Sequence, residues 1–586
     1  MFNNSQHTFK THDQTELFYQ HWESISQKNT PNANKKAIIL FHRGHEHSDR
    51  MAHLVDELKM TDFDFFAWDA RGHGDSPGAR GDAPSFSACV KDIQYFLQHI
   101  QQQYGINENN IAIIGQSVGA VLSATWVHDY APKIRALCLA SPAFDIKLYV
   151  PFAEPGLRVL NHIKGNFFIQ SYVKSSMLTH DKERAQTYDT DPKIARSISV
   201  RMLLGLYDAS KRIVADAQNI FVPTQVLCSG SDFVVQQKPQ RDFYDKLPHP
   251  QKEFHVLDGF YHDTLGEKNR VVAIDKIKRF ITQCFANPYQ APDLLHADKI
   301  GSSCAIAETL SAPLPHKSAK YLFWQITKKN LKIGSLLSKG LKIGEDTGYD
   351  SGSTLDFVYR NQTESQNPIG KIIDRQYLNA IGWRGIRIRK ENIEQLFQKY
   401  AKALIENNQP IRILDIASGH GRYILDAVQQ LPQLPNSVLL RDYSEINVKA
   451  GQQMIQERGL EHIAQFVQAD AFDTQSIASI DPRPTLGVVS GLYELFSDND
   501  LLRRSLNGLS QAIEKNGYLI YTGQIWHPQQ EFIARALTSH REGDAWVMRL
   551  RSQAEMDALV EAAGFKKVDQ NIDDFGIFTV SVAQKL

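Results

Sequence analysis

Three residues able to pass a proton along a line occur in a telling order. Ser117 stands between two glycines in Gly115-Gln116-Ser117-Val118-Gly119, directly after the apolar run Ile111-Ala112-Ile113-Ile114. A sharp strand-to-helix turn needs small residues around its apex. It lifts the apical hydroxyl above the sheet, beside a helix N-terminus that favours negative charge. A serine hydroxyl becomes a nucleophile only beside a base, and the base works best when an acid orients it. Downstream, Asp232 lies in GSDFVV at a strand end, and His262 lies in GFYHDTLGE just after the next strand. That order supplies a nucleophile (Ser117), an orienting acid (Asp232) and a base (His262), the groups needed for acyl transfer to water. The oxyanion of such a reaction needs a second backbone N–H donor from a loop after an early strand, and LFHRGHEHS at 40–48 occupies that place.

A second turn, IRILDIASGHG at 411–421, suits a different task. Asp415 ends a strand, and the small residues Ala417, Gly419 and Gly421 let a ligand approach the backbone closely. The next strand ends in Asp442, which can hydrogen-bond both hydroxyls of a ribose. A third ends in Asp470-Ala471, where a carboxylate or amide can meet an adenine amine. The turn lacks the GxGxxG pattern that a pyrophosphate favours.

Elements must hold these groups in place. KAIILFH (36–42), FDFFAWDARGHG (63–74), IAIIGQS, IRALCLASP (134–142), PTQVLCSGSD (223–232) and KEFHVLDGFYH (252–262) read as apolar strands separated by helical patterns. RILDIA, SVLLRDYS, AQFVQAD, LGVVSGLY and GYLIYTGQ repeat that rhythm after residue 390. Alternation of this kind predicts α/β architecture with two doubly wound, mainly parallel sheets. Residues 145–220 break the first rhythm with a helical, aromatic insert placed as a lid, in which Phe152, Phe167, Phe168 and Tyr172 suggest an apolar acyl chain. Residues 286–318, rich in proline, serine and small residues, read as a linker. Residues 319–344 carry six lysines, no acid and an apolar side, the pattern of a basic amphipathic helix that can lie on an anionic membrane or grip an acidic partner.

The totals set bounds. A chain of 586 residues exceeds one hydrophobic core. Its 65 basic and 65 acidic residues cancel, so no global field attracts nucleic acid. Five scattered cysteines without a CxxC pair predict neither a disulfide framework nor a metal site, and fit a reducing compartment. The polar start MFNNSQHTFK and the lack of a long apolar run predict a soluble, cytoplasmic protein, at most peripheral to the inner face of a membrane. Oligomeric state is not legible.

These stretches resemble two families. LFHRGHEHS, FFAWDARGHGDSPG, GQSVGA, GSDFVV and GFYHDTLGE, in that order, resemble the corresponding segments of monoglyceride-lipase-like α/β-hydrolases across roughly residues 10–285, within a first domain read as 1–285. The resemblance implies an α/β-hydrolase fold with a helical lid. It also implies catalytic Ser117, Asp232 and His262, and oxyanion donors from the backbones of Gly44 and Val118. Arg43 departs from the glycine usual there, a bulky cation that would either alter the pocket mouth or recognise an anionic head group, and the exact oxyanion geometry stays open. DIASGHG resembles motif I of class I S-adenosylmethionine-dependent methyltransferases, with Asp442 and Asp470-Ala471 at the ribose and adenine positions, across 391–586. That implies a Rossmann-like fold, S-adenosyl-L-methionine as cofactor, and binding by Asp415, Ala417, Gly419, Gly421, Asp442, Asp470 and Ala471. Arg441 is expected to pair with Asp442 and compete with the sugar.

Residues 319–390 read as a basic helical extension of this second domain, whose Arg384, Arg387 and Arg389 would cover the cofactor or bind phosphate. No [DN]PP[YFW] follows the fourth strand, and Tyr493, Glu494 and His527 are the groups near strand ends that could touch an acceptor. The whole chain resembles bacterial fusions of such a hydrolase with such a methyltransferase. The expected function is hydrolysis of a lipid or lysophospholipid ester plus methylation of a related small molecule or lipid. The alternative is that one half catalyses and the other binds lipid or docks.

Overall fold

Apolar runs of five or six residues, each closed by a glycine-rich loop, become the inner strands of two sheets. The computed structural model describes residues 2–586 except 28, 29, 32, 33, 291 and 542, and the chain divides into two units, Met1–Pro292 and Asp293–Leu586. The first unit contains β1 (Asn3–Lys10), β2 (Glu16–Glu23), β3 (Ala37–Phe41), β4 (Asp64–Trp68), β5 (Ile111–Gln116), β6 (Ala136–Ala140), β7 (Phe168–Gln170), β8 (Ser197–Ser199), β9 (Thr224–Ser229) and β10 (Lys252–Leu257). Eight of these form one sheet in the order β1-β2-β4-β3-β5-β6-β9-β10. β3 through β10 pair in parallel, and the β1–β2 hairpin adds antiparallel at the edge. Every residue of β3, β4, β5, β6 and β9 is buried, because helices cover both faces.

The insert after β6 holds helices Ala153–Lys164, Lys182–Thr190 and Val200–Ala215, and the small β7–β8 pair. The last of these helices starts on Ser199, whose side chain accepts from the Met202 N–H and caps it.

The second unit contains β11 (Arg412–Ile416), β12 (Ser437–Asp442), β13 (Ala464–Gln468), β14 (Leu486–Val489), β15 (Tyr518–Gln524), β16 (Phe565–Ile572) and β17 (Phe578–Lys585). Their order is β13-β12-β11-β14-β15-β17-β16, parallel through β15 and antiparallel at β17 and β16. The order reverses direction at β11, between β12 and β14. In open α/β sheets the crevice at such a switch point, beyond the carboxyl ends of the strands, is where ligands bind.

Two stretches differ from the sequence expectation. Residues 302–311, inside the stretch read as linker, form the helix Ser302–Ser311, and the segment is tied to the second unit. Asp298 accepts from the Asn499 N–H at 3.0 Å, and Arg535 donates to the carbonyls of Ala312 and Thr309 at 2.6 and 2.9 Å. Small residues such as Ala305 and Ala307 lack a strong apolar period, so polar contacts carried the docking that periodicity could not reveal. The basic segment 319–344 is two helices, Ala319–Ser335 and Lys339–Thr347, because Ser338 breaks the run and caps the second through the Leu341 N–H.

Candidate active sites

β5 ends at Gln116 and the helix Val118–Tyr130 begins one residue later, leaving Ser117 at φ 53°, ψ −112°. A non-glycine residue held there stores strain, and it sits where the surrounding packing permits nothing else. A methyl group on Gly119 would lie 2.4 Å from the His42 carbonyl oxygen, and one on Gly115 would lie 2.8 Å from Ala120 Cα. Gly119 therefore lets the helix start press against the loop after β3, and Gly115 lets the same helix pack on β5. That approach brings Gly44 beside Val118, since a methyl on Gly44 would meet Val118 Cγ2 at 2.9 Å. Both residues line the cavity above Ser117.

His262, in the loop after β10, places Nε2 2.8 Å from Ser117 Oγ. Its Nδ1 lies 2.8 Å from Asp232 Oδ2, in the loop after β9. Asp232 Oδ1 accepts the N–H groups of Val234 and Val235 at 2.7 and 3.0 Å. Burial works to raise the Asp232 carboxyl, but His262 and these donors hold it below the usual range. All three side chains are buried. A charged Asp232 keeps the imidazole proton on Nδ1, which leaves Nε2 free to accept from the serine.

The neighbour of the histidine fixes its loop. Asp263 accepts from Gln116 Nε2 at 2.9 Å and from Arg184 Nε of the insert at 2.6 Å. Although buried, it is held far below the ordinary carboxylate range by Arg184 and Arg43. Arg43 itself is a correction to the sequence reading. It lines the cavity over Ser117 but is no free cation for an anionic head group: it is buried, donates to Glu46 at 2.7 Å, lies 4.0 Å from Asp263 and stacks 5.0 Å over Tyr188. Its charge is already matched internally.

The cavity of about 140 Å³ over Ser117 is walled by Leu148, Ile169, Tyr172, Met202, Leu203 and Leu206 of the insert. Of the four aromatics expected there, only Tyr172 lines it. Phe152 is 86% exposed, and Phe167 and Phe168 also lie outside the lining. Aliphatic side chains at helical spacing took the role, a pattern less conspicuous than clustered rings.

In the second unit, Ala417, Gly419 and Gly421 have φ of 56°, 57° and 75°. Gly419 N–H donates to Asp442 Oδ2 at 2.9 Å, while Asp442 Oδ1 accepts from Ser444 N and Asn447 Nδ2, each at 2.9 Å. The acid at the end of β12 thus pins the glycine turn from the neighbouring strand. Ala417, Gly419, Gly421, Asp442, Asp470 and Ala471 line one open cavity of about 1040 Å³. Asp470 also accepts the Phe472 N–H at 2.9 Å. Ser490 Oγ, buried in the same wall, has no hydrogen-bond partner among the described residues. A sugar-bearing ligand fits this cradle: room over Gly419, a carboxylate at the next strand end, and an orphan hydroxyl.

Asp415 and Arg441 are corrections. Asp415 does not line the cavity. It is fully buried below the turn, and both its oxygens receive the Tyr423 hydroxyl at 2.7 Å. Burial pushes its carboxyl up to about 8, so it is a neutral strut at pH 7. Arg441 points to the other face of β12 and donates to Ser476 Oγ at 2.6 Å, so it neither pairs with Asp442 nor competes for its oxygens. One wall was missed. Gly352, at the start of the helix Gly352–Arg360, places its Cα 3.6 Å from where a Gly419 methyl would sit, and Ser353 lies 3.4 Å from His420 Nε2. The run GYDSGST at 348–354 was the available signal, a cluster of turn residues opposite a glycine loop.

Among the acceptor candidates, Tyr493 is buried with its hydroxyl 3.0 Å from Ser505 and does not line the cavity of the glycine turn. Glu494, His527 and Arg389 line a separate cavity of about 340 Å³. Arg384 stacks on Phe575, and Arg387 donates to the Leu378 carbonyl.

Two family models match the chain: "Putative methyltransferase" over residues 277–585 and "Serine aminopeptidase, S33" over residues 32–269. The uncharacterized protein YnbC of Escherichia coli (strain K12) is 51% identical over 579 residues, 99% of this chain and 98% of its own. The monoglyceride lipase of Rattus norvegicus is 26% identical over 252 residues, 42% of this chain and 79% of its own. Among solved structures, a monoacylglycerol lipase of Paleococcus ferrophilus has 20% identity and a TM-score of 0.40, covering 48% of this chain and 99% of its own.

Proposed function

The chain belongs to the methyltransferase family whose model spans its second half, with an α/β-hydrolase fused ahead of it, and on that footing we propose a bifunctional enzyme. The first unit hydrolyses a carboxylic ester of a lipid or lysophospholipid. The second transfers a methyl group from S-adenosyl-L-methionine to a related molecule.

The observation that carries the hydrolase reading is the unbroken line Ser117–His262–Asp232, with both links at 2.8 Å, under an aliphatic cavity. His262 takes the Ser117 proton as Oγ attacks the ester carbonyl. The backbones of Gly44 and Val118 hold the oxyanion, and His262 returns the proton to the leaving alcohol. Water then releases the acid by the same relay. The apolar wall suits an acyl chain. Labelling by a fluorophosphonate tests this: wild type labels at Ser117 and Ser117→Ala does not. Equal labelling of both would remove the assignment.

For the second unit the support is the glycine cradle with Asp442 at the adjacent strand end. Asp442 would hold the ribose hydroxyls, Asp470 and Ala471 the adenine, and Gly419 the close backbone approach. The bound cofactor supplies an electrophilic methyl group. Asp415 and Tyr423 keep the turn in shape from below. Calorimetry with S-adenosylmethionine should give one site per chain and a large loss with Asp442→Ala; no heat in the wild type would refute it.

A second reading concerns the helix Ala319–Ser335. Leu322, Phe323, Ile326 and Ile333 are each more than half exposed beside Lys328, Lys329 and Lys332. This favours peripheral contact of a cytoplasmic protein with an anionic bilayer. No helix of the described residues is long and apolar enough to cross one.

A further inference from the structure

The second unit holds a second chamber that neither the triad nor the glycine cradle uses. About 340 Å³ in volume, it is walled by Tyr377, Trp383, Phe532, Trp546 and Phe578 with several aliphatic side chains. Gly491 and Leu495 line both this chamber and the cavity of the glycine turn, so the two spaces share a wall at the end of β14. At that shared wall stand two buried ions of opposite sign. Arg389 Nη1 lies 3.6 Å from Glu494 Oε1, and a methyl on Gly491 would come within 3.1 Å of Arg389 Nη2. Glu494 is held by its other contact: Oε1 accepts from Thr522 Oγ1 at 2.8 Å, and Thr522 Oγ1 accepts from the Gly491 N–H at 2.8 Å.

The pair is incompletely satisfied. Glu494 Oε2 and Arg389 Nε are buried with no hydrogen-bond partner among the described residues, as is Trp546 Nε1. Arg389 is 3% and Glu494 7% exposed, so bulk water does not serve them. A buried acceptor and a buried donor left open costs stability unless a ligand completes them. A ligand end that both donates to Glu494 and accepts from Arg389 would complement this pair. A carboxylate would repel Glu494 and an ammonium would repel Arg389, while a neutral hydroxyl meets both demands. The pair sums to zero charge, which again favours a neutral guest in an apolar chamber. His527, also in the wall, is held neutral by burial and adds no charge.

We infer that this chamber binds an apolar molecule ending in a neutral hydroxyl, with its oxygen at the Arg389–Glu494 pair beside Gly491. The assignment rests on the methyl-transfer reading of the second unit and names the class of acceptor for it, an alcohol or phenol. Glu494 is then the group that holds the hydroxyl proton.

Tryptophan fluorescence of the full chain, titrated with 1-octanol, octanoate and octylammonium, tests it. The expected result is saturable binding of 1-octanol, with each charged probe at least about tenfold weaker. Glu494→Gln should weaken 1-octanol by about tenfold and move the preference towards octanoate, because Arg389 is left uncompensated. A merely structural role for Glu494 would lower all three alike. Ile373→Trp, which fills the chamber from a half-buried wall position, should abolish 1-octanol binding and leave calorimetric binding of S-adenosylmethionine unchanged. No saturable 1-octanol signal, equal binding of the charged probes, or an unchanged preference in Glu494→Gln would overturn the inference. Octanol binding as described, with no heat from S-adenosylmethionine, would uphold the chamber and remove the methyl-transfer reading alone.

Discussion

Ser117 follows the end of β5 and Asp415 lies one residue before the end of β11, yet their surroundings give them opposite tasks. Ser117 is pushed into the left-handed region and meets His262, so its hydroxyl is available for attack. Replacing Asp232 with Asn would leave the line in place but stabilise the wrong imidazole tautomer. Ester hydrolysis should then fall by about 10⁴-fold with little change in fold, read by steady-state kinetics beside circular dichroism. Asp415 is sealed under the turn, where burial raises its carboxyl from 3.8 to about 8. The folded state therefore keeps a proton that the unfolded chain has lost. Its contribution to stability is fully present below pH 3.8 and fades as pH rises towards 8, by at most ~1.4 kcal/mol per pH unit. Asp415→Asn should flatten that slope in denaturant melts of the second unit between pH 5 and 8; an unchanged slope would mean Asp415 is charged. Sequence located Asp415 but could not show that its side chain faces down, because alternation along a strand fixes the face only when the register is known.

Glycines set the distances between elements. At Gly119 the helix start approaches the loop after β3 so closely that a methyl would lie 2.4 Å from the His42 oxygen. Gly119→Ala should cost about 1–3 kcal/mol and reduce hydrolysis by moving Gly44 away from Val118, measured by urea unfolding and ester turnover. That loop and the loop after β4 share an acid-sensitive pair. His42 and His73 have ring centroids 5.3 Å apart, and burial lowers them to about 4 and about 3. His42 Nε2 accepts from the Ala70 N–H and its Nδ1 donates to the Arg43 carbonyl, an arrangement that needs the neutral ring. Depressed values mean that the stability these rings contribute is intact above pH 6.5 and is lost as pH falls towards 4. The first unit should therefore unfold more readily at pH 5 than at pH 7, and a His42→Asn, His73→Asn double variant should respond less. The inner strands, being unbroken apolar runs, were legible. The outer hairpins β1–β2 and β16–β17 were not, since the edge strands β1 and β16 have wet faces that mix polar and apolar residues as a loop does, and β2 and β17 bury polar side chains such as Gln20, Thr579 and Ser581.

At the scale of the molecule, each unit gathers its candidate site at the carboxyl ends of its parallel strands, where loops can vary without disturbing the sheet. The motif residues of both candidate sites were legible, because nucleophile turns and glycine cradles impose local demands on residue type. The walls were hidden, because the insert's aliphatic side chains and the Gly352 turn reach their sites only through tertiary packing. Ligand linkage gives a prediction at this scale: S-adenosylmethionine at 100 times its Kd should stabilise the second unit by ~2.7 kcal/mol, seen as an upward shift of one of two thermal transitions. Vesicle flotation should retain the chain on anionic lipid, and Phe323→Asp with Ile326→Asp should release it.

The claim beneath all of this is that one chain carries two separate working sites. Calorimetric titration of S-adenosylmethionine into protein first treated with a fluorophosphonate examines both together. The account predicts one phosphonate on Ser117 and, in the same sample, one S-adenosylmethionine bound per chain. A chain that stays unlabelled, or that is labelled and gives no binding heat, would contradict it.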